Sequence, residues 1–290
     1  MPIVKAFPYF GGKTKVLKEL YQLMPRDSKQ FVDVFGGSMT VALNYPHTSA
    51  AITACDINGD IVNFFTVLRT EQDQLIEALR LTPCAESEYK AAWEGMRASC
   101  PIERARCFFI RSMMGFYGLG SQRTKKGNSI TFSTGSKASK CKGRTEVVSR
   151  WHNGTERLLE VAKAIRQRVQ ILECSYEKSI PKFDHLEAFF YVDPPYDPKS
   201  RTGGDYKFDF KEEDHRKLAS LLHQIKGKAL LSGYRTPLMI ELYEQQGWAA
   251  QQLKHQKYSA LTRKEQSEEK QEWVWMNYKP CNQAIQHKLF

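Results

Sequence analysis

The chain has 290 residues, 41% hydrophobic and 26% charged, with a formal net charge of +11; this leaves room for one large α/β domain plus an inserted module. No apolar run approaches the roughly 18 residues of a membrane span, and Met1 to Phe10 lacks the basic-then-apolar order of a secretory leader. The seven cysteines (Cys55, Cys84, Cys100, Cys107, Cys141, Cys174 and Cys281) are scattered, with no C-x-x-C pair, which fits reduced thiols in a cytoplasm rather than a disulfide framework or a zinc site.

Phe31 to Phe35 (FVDVF) is short, apolar and aromatic, and reads as a strand. Gly36-Gly37 breaks it, and Ser38 stands where it would cap a helix carrying Val41, Ala42 and Leu43. Ala50 to Cys55 is a second strand, ended by Asp56-Ile57-Asn58-Gly59. A helix through Ile61, Val62, Phe64 and Phe65 follows. Strands alternating with helices predict a parallel sheet. Residues 71–115 read as three short helices. Gln72 to Leu81 places Leu75, Ile76 and Leu79 at helical spacing, and Ser87 to Met96 places Tyr89 and Trp93 one turn apart. Pro101 opens the third, where its missing N–H does no harm. Gly115 to Arg150 is polar. From Arg111 to Arg150 nine Lys/Arg stand against one acid, Glu146, so most of the excess charge lies here and a polyanion partner becomes the sharper reading.

Alternation then returns. Thr155 to Arg168 is an amphipathic helix with Leu158, Leu159, Val161, Ala162 and Ile165 on its apolar face. Strands are expected at Val169 to Cys174, Ala188 to Val192, Ala229 to Ser232 and Glu272 to Tyr278. Helices are expected at Glu212 to Ile225 and Thr236 to Glu244, and the tail Lys279 to Phe290 hangs off the last strand. The architecture is an α/β sheet built from 1–65 and 151–290, interrupted by a basic insertion at 66–150. Insertions of this composition usually bind something; an inert solvated loop is the alternative.

The sharpest motif is Phe189-Phe190-Tyr191-Val192-Asp193-Pro194-Pro195-Tyr196. A buried strand ends in two prolines that stop sheet pairing, so Asp193 and the Pro194 carbonyl should face the sheet's carboxyl edge. Ligands bind at that edge in open α/β sheets. The plain alternative is a rigid turn. Gly36 and Gly37 lack Cβ, which lets backbone approach a ligand closely. Asp56, about twenty residues on, stands where a carboxylate accepts ribose hydroxyls; capping of the next helix is its alternative. The glycine turn alone would equally serve a nicotinamide cofactor. Gly11-Gly12-Lys13-Thr14 is not a phosphate-binding loop, because the glycine needed five residues before Gly12 is Phe7.

On these residues the chain resembles the Dam-type family of N6-adenine DNA methyltransferases, over nearly its whole length. Pro8-Tyr9-Phe10-Gly11-Gly12-Lys13 is similar to the family's N-terminal cofactor motif. Asp33-Val34-Phe35-Gly36-Gly37-Ser38 resembles its glycine-rich loop, and Cys55-Asp56-Ile57-Asn58 its acidic ribose motif. Tyr117-Gly118-Leu119 resembles the stretch leading into its recognition hairpin. Leu231-Ser232-Gly233-Tyr234 and Trp275-Met276-Asn277-Tyr278 fit its later strands. One departure is Glu173-Cys174-Ser175-Tyr176, with Ser175 where the family often has an acid.

The resemblance implies a Rossmann-like sheet that uses S-adenosylmethionine, with a mostly helical and hairpin DNA-recognition domain inserted at 66–150. Tyr9, Lys13, Phe35, Gly36, Gly37, Asp56 and Asp193 would surround the methyl donor. Lys13 beside a cationic sulfonium is physically odd, so it should pair with an acid or the methionyl carboxylate, or reach toward DNA. Asp193, Pro194 and Tyr196 would act on adenine: Asp193 and the Pro194 carbonyl accept the N6 hydrogens, and Tyr196 stacks on the flipped base. Arg123, Lys125, Lys126, Lys137, Lys140, Lys142 and Arg144 are candidates for phosphate or base contacts, with Asn128 to Ser133 as a hairpin strand. The implied partner is double-stranded DNA. No metal and no membrane are expected, a restriction-endonuclease counterpart is compatible, and a monomer suffices. The setting would be a bacterial nucleoid or a phage-encoded enzyme in a bacterial cytoplasm. Cytosine N4, RNA or an amide nitrogen as acceptor, and a DNA-binding protein that has lost activity, are the competing readings.

Overall fold

A computed structural model describes residues 3–9, 11–115, 132–133, 145–196, 210–253 and 271–280. Its centre is a sheet of seven strands in the order β3-β2-β1-β4-β5-β7-β6. These are β1 (Gln30–Asp33), β2 (Ala51–Asp56), β3 (Val169–Glu173), β4 (Ala188–Val192), β5 (Lys228–Tyr234), β6 (Ala249–Gln252) and β7 (Glu272–Met276). β1 to β5 are mutually parallel, and β7 lies antiparallel between β5 and β6. The order reverses between β1 and β4, and a crevice opens at that point along the carboxyl edge.

The sheet is covered on both faces, which explains strands without polar alternation. In β4 every residue is buried. Phe189 and Tyr191 face one cluster, while Ala188, Phe190 and Val192 face the other, as the two-residue period requires. On the second face lie α8 (Tyr176–Phe183) and α9 (Glu212–Leu222). The first face carries α1 (Leu17–Leu23), α2 (Thr40–Leu43) and α3 (Gly59–Thr70). It also carries α4 (Gln72–Leu81), α5 (Glu86–Gly95), α6 (Pro101–Met114) and α7 (Glu146–Arg168). The three expected helices of 71–115 are therefore present, and they share one hydrophobic cluster with the sheet. Phe64 is its hub: its ring meets Phe7 edge-on at 5.4 Å and stacks on Phe109 at 5.7 Å.

Several local expectations are corrected. α7 begins at Glu146, not Thr155, because Asn153-Gly154 does not end it. Gly154 sits where Phe109 and Met113 of α6 press against the helix, so a missing side chain serves packing there. Ser38 does not cap α2; its hydroxyl bonds Thr40 instead, and Met39, in the left-handed region at φ 52°, takes the cap position. The segment after Thr236 is a short α10 (Pro237–Met239) that widens into a π-helical turn (Ile240–Glu244). The first strand stops at Asp33, leaving Val34 and Phe35 in the turn. α1, α8 and β6 carry patterns too short to read from sequence.

Replacing Phe64 with Ala should cost about 3–5 kcal/mol, because its ring joins the N-terminal segment, α3 and α6. Urea denaturation of wild type and Phe64→Ala measures this, and a loss below 1 kcal/mol would contradict the packing.

Candidate active site

Three loops leave the carboxyl edge beside the switch point, and a fourth segment closes over them. After β1 the chain turns through Val34-Phe35-Gly36-Gly37. β2 ends on Asp56, and β4 runs directly into Asp193-Pro194-Pro195-Tyr196. The N-terminal segment through Tyr9 and Lys13 forms the lid. Together they enclose a cavity of about 330 Å³ lined by Tyr9, Lys13, Phe35, Gly36, Gly37, Asp56 and Asp193. The structure thus brings together every residue expected near a cofactor. Pro194 and Tyr196 lie in an adjoining depression with Ser232, Gly233 and Tyr234.

The glycine turn is built by hydrogen bonds. Gly36 N–H donates to the Cys55 carbonyl at 2.7 Å, and Gly37 N–H donates to Asp56 Oδ2 at 2.7 Å. Gly37 has φ +49°, and a Cβ there would stand 2.8 Å from the Tyr9 ring. Only glycine meets both demands. Asp56 Oδ1 accepts the Asn58 N–H at 2.8 Å, and it is Asn58 that caps α3. Asp56 is therefore a brace between two loops rather than a helix cap. A carboxylate has about four acceptor positions, so two backbone donors leave capacity for ligand hydroxyls.

At the far end lies a buried cluster of charges. Lys13 turns inward and pairs with two acids. Its Nζ lies 2.7 Å from Asp193 Oδ2 and 2.9 Å from Glu272 Oε1, and it donates to Tyr196 Oη at 2.8 Å. The Tyr196 hydroxyl donates to Glu272. Ser232 donates to Asp193 Oδ1 at 2.8 Å. Burial alone would lower the Lys13 ammonium, but Asp193 and Glu272 outweigh it and hold it well above its ordinary value. Asp193 is raised above the usual carboxylate range, chiefly by burial and further by Glu272, against the pull of Lys13. It keeps 19% of its side chain exposed, toward the cavity.

Sequence reasoning missed four contributors. Asp33, at the end of β1, lines the cavity 1% exposed, and its Oδ1 has no hydrogen-bond partner among the described residues. Burial, with Asp193 and Asp56 nearby, pushes it up to about 8. A charge inside the apolar FVDVF strand was the readable signal. Tyr176 stacks on Phe35 at 5.8 Å, and Phe210 meets Phe35 edge-on at 5.8 Å, making an aromatic wall. Tyr176 stood in the Glu173-Cys174-Ser175-Tyr176 stretch without a role assigned, and nothing local in the sequence marked Phe210. Glu272, the acid heading an apolar strand, was visible but unassigned. Ser175, the departure from the resembled pattern, lines the cavity at the start of α8.

The basic candidates Arg123, Lys125, Lys126, Lys137, Lys140, Lys142 and Arg144 lie outside the described residues, as do Phe10, Tyr117-Gly118-Leu119 and Asn128 to Thr131. The flanks of that segment are described. Gly115 bridges to Phe132, and Ser133 N–H donates to the Met114 carbonyl. Arg150 of α7 donates to the carbonyls of Met113, at 2.7 Å, and Gly115. Among the described residues, no helix is long and apolar enough to cross a membrane.

The family described as D12 class N6 adenine-specific DNA methyltransferase matches residues 9–260. The type II methyltransferase M.MjaIII of Methanocaldococcus jannaschii is 25% identical over 83% of this chain and 88% of its own length. The type II methyltransferase M1.LlaDCHI of Lactococcus lactis is 24% identical over 81% and 82%, and the DNA adenine methylase of Haemophilus influenzae is 24% identical over 83% and 84%. The chain belongs to the D12 class N6 adenine-specific DNA methyltransferases, enzymes that use S-adenosylmethionine to methylate adenine N6 in DNA.

Proposed function

We propose that the cavity holds S-adenosylmethionine and that Asp193, Pro194 and Tyr196 present a flipped-out adenine of double-stranded DNA beside it. The observation that carries this reading is the position of Asp193, which lines the cavity while the adjoining depression holds Pro194 and Tyr196. A volume of about 330 Å³ lies within the roughly 300–1,000 Å³ of small-molecule sites. The buried Oδ1 of Asp33, without a hydrogen-bond partner among the described residues, is available to hydrogen-bond a ligand, and Asp56 suits a ribose. Phe35, backed by Tyr176 and Phe210, offers an aromatic surface for a purine ring.

The bound donor supplies an electrophilic methyl group on a sulfonium. The N6 lone pair of adenine is delocalised into its ring, so the protein's task is to localise it. Asp193 and the Pro194 carbonyl accept the two N6 hydrogens, drawing the nitrogen toward tetrahedral geometry and stabilising the positive charge that grows on it. The N–CH3 bond forms as the S–CH3 bond breaks, and N6 then sheds one proton. Asp193 need not be a strong base, because that proton leaves after transfer. Alignment of the two reactants supplies much of the rate. The flipped base costs roughly a few kcal/mol, which stacking on the Tyr196 ring offsets by roughly 1–3 kcal/mol.

Residues 66–150 form the target-recognition insertion on this reading, and its basic residues Arg123, Lys125, Lys126, Lys137, Lys140, Lys142 and Arg144 grip phosphates, with one or two reading bases. The bridge at Gly115 and the Arg150 contacts support a segment rooted between α6 and α7. The enzyme works as a monomer in a bacterial or phage-infected cytoplasm, without a metal, and a restriction endonuclease is its compatible counterpart. Three of the similar proteins are named type II methyltransferases.

Methyl transfer from labelled S-adenosylmethionine to unmethylated genomic DNA, with nucleoside analysis, tests the reading. Wild type should produce N6-methyladenine, and Asp193→Ala should lose about 10²–10³-fold in transfer rate; N4-methylcytosine as product would correct the acceptor. A second expectation concerns Asp33. Raised to about 8, it is protonated in the fold but ionised in the unfolded chain between the ordinary Asp range and that value. Its contribution to stability is therefore full at low pH and declines as pH rises toward 8. Thermal melts should show wild type losing more stability than Asp33→Asn between pH 5 and pH 8. At pH 8 Asp33→Asn should also bind S-adenosylmethionine about 10- to 100-fold more weakly by calorimetry. Equal affinity would remove Asp33 from the donor site.

A further inference from the structure

β7 is the one antiparallel strand among the neighbours of β5, and this has a chemical consequence. A parallel strand delivers its last residue to the carboxyl edge, whereas β7 delivers its first. Glu272 pairs in register with Tyr234, the last residue of β5, and is only 6% exposed. It reaches Lys13 at 2.9 Å and accepts from Tyr196, so it touches two of the groups that contact Asp193.

We propose that Glu272 is a positioning residue for methyl transfer: it shares the Lys13 ammonium and fixes the Tyr196 hydroxyl, so that Asp193 keeps its negative charge available to the target amine. The proposal rests on the reading of Asp193 as the acceptor of N6 hydrogens. Among the described residues the cluster holds one cation and two carboxylates. Without Glu272, Asp193 would be the one carboxylate left to the Lys13 ammonium among the described residues, 2.7 Å away, and the pair would neutralise the acceptor. With Glu272 sharing that cation, two carboxylates face one ammonium among the described residues, and Asp193 keeps negative character beside a nitrogen that becomes positive in the transition state. The other groups facing the cluster are Tyr191 of β4, Ser232 and Tyr234 of β5, and Asp33 of β1. Tyr191 hydrogen-bonds Ser232, which in turn donates to Asp193. None of these described groups supplies a second cation, and Lys13 is the cation that Glu272 and Asp193 share.

A buried acid could equally serve only to hold Lys13 in the fold. Glu272→Gln separates the two, because it keeps the volume and an acceptor oxygen for Lys13 and Tyr196 while removing the charge. Single-turnover transfer to a methylatable duplex should fall about 10- to 100-fold at the pH plateau, with the S-adenosylmethionine dissociation constant within twofold of wild type. The acid limb of the pH–rate profile should move to lower pH, since the charge of Glu272 is one of the causes that raise Asp193. Glu272→Asp, which keeps the charge, should hold the limb at the wild-type position and lose less rate than Glu272→Gln. Wild-type rate and an unmoved limb in donor-binding Glu272→Gln would overturn the proposal. If Glu272→Gln does not fold, a displaced limb in Glu272→Asp would overturn it. Wild type and Asp193→Ala run alongside. Absence of N6-methyladenine from wild type, or full transfer by Asp193→Ala, would sink the reading of Asp193 itself, which is a distinct outcome.

Discussion

The Lys13 ammonium, 3% exposed, is held between Asp193 and Glu272, and the site is organised around it. A buried charge costs several kcal/mol unless it is paired and hydrogen-bonded, so none of the three groups is tolerated there alone. Their mutual dependence ties the N-terminal segment, the end of β4 and the start of β7 into one unit. Tyr196, 183 residues from Lys13 in sequence, completes it with hydrogen bonds to all three. Two carboxylates against one ammonium, as the described residues stand, are poor for stability and well suited to a reaction that builds positive charge.

The remaining features place that cluster beside a ligand cavity. The parallel strands end together at the switch point between β1 and β4, so the glycine turn, Asp56 and Asp193 converge although they are far apart in sequence. Asp56 braces the glycine turn through the Gly37 N–H, and the Tyr9 ring occupies the space that a Gly37 side chain would need. The helices of the first face share one apolar cluster with the sheet, so the lid segment is anchored through Phe7 to Phe64 and Phe108. Rigid support of this kind is what lets loop residues hold reactive geometry.

Much of the fold was legible in the chain. β4 read as buried because AFFYV has no polar member, and the break at Asp-Pro-Pro follows from the missing proline N–H. The helices of 71–115 read correctly from apolar and aromatic spacing and from the helix-opening Pro101. Where the reading failed, tertiary packing outweighed local preference. Gly154 ought to weaken a helix, yet α7 runs through it because α6 presses close there. Ser38 is a good cap by composition, yet the tight turn spends its hydroxyl on Thr40.

The site divides along the same line. The glycines, Asp56 and the Asp-Pro-Pro-Tyr run announced themselves, because backbone approach, ribose contact and a proline-stopped strand each demand particular residues at a local spacing. Lys13 was visible as a cation, but its partners were not. Glu272, Asp33, Tyr176 and Phe210 owe their places to strand order, to the reversed direction of β7 and to burial. These are properties of the folded sheet. A charge in an apolar strand is only an anomaly in sequence; the tertiary structure decides whether it meets a partner, a ligand or neither.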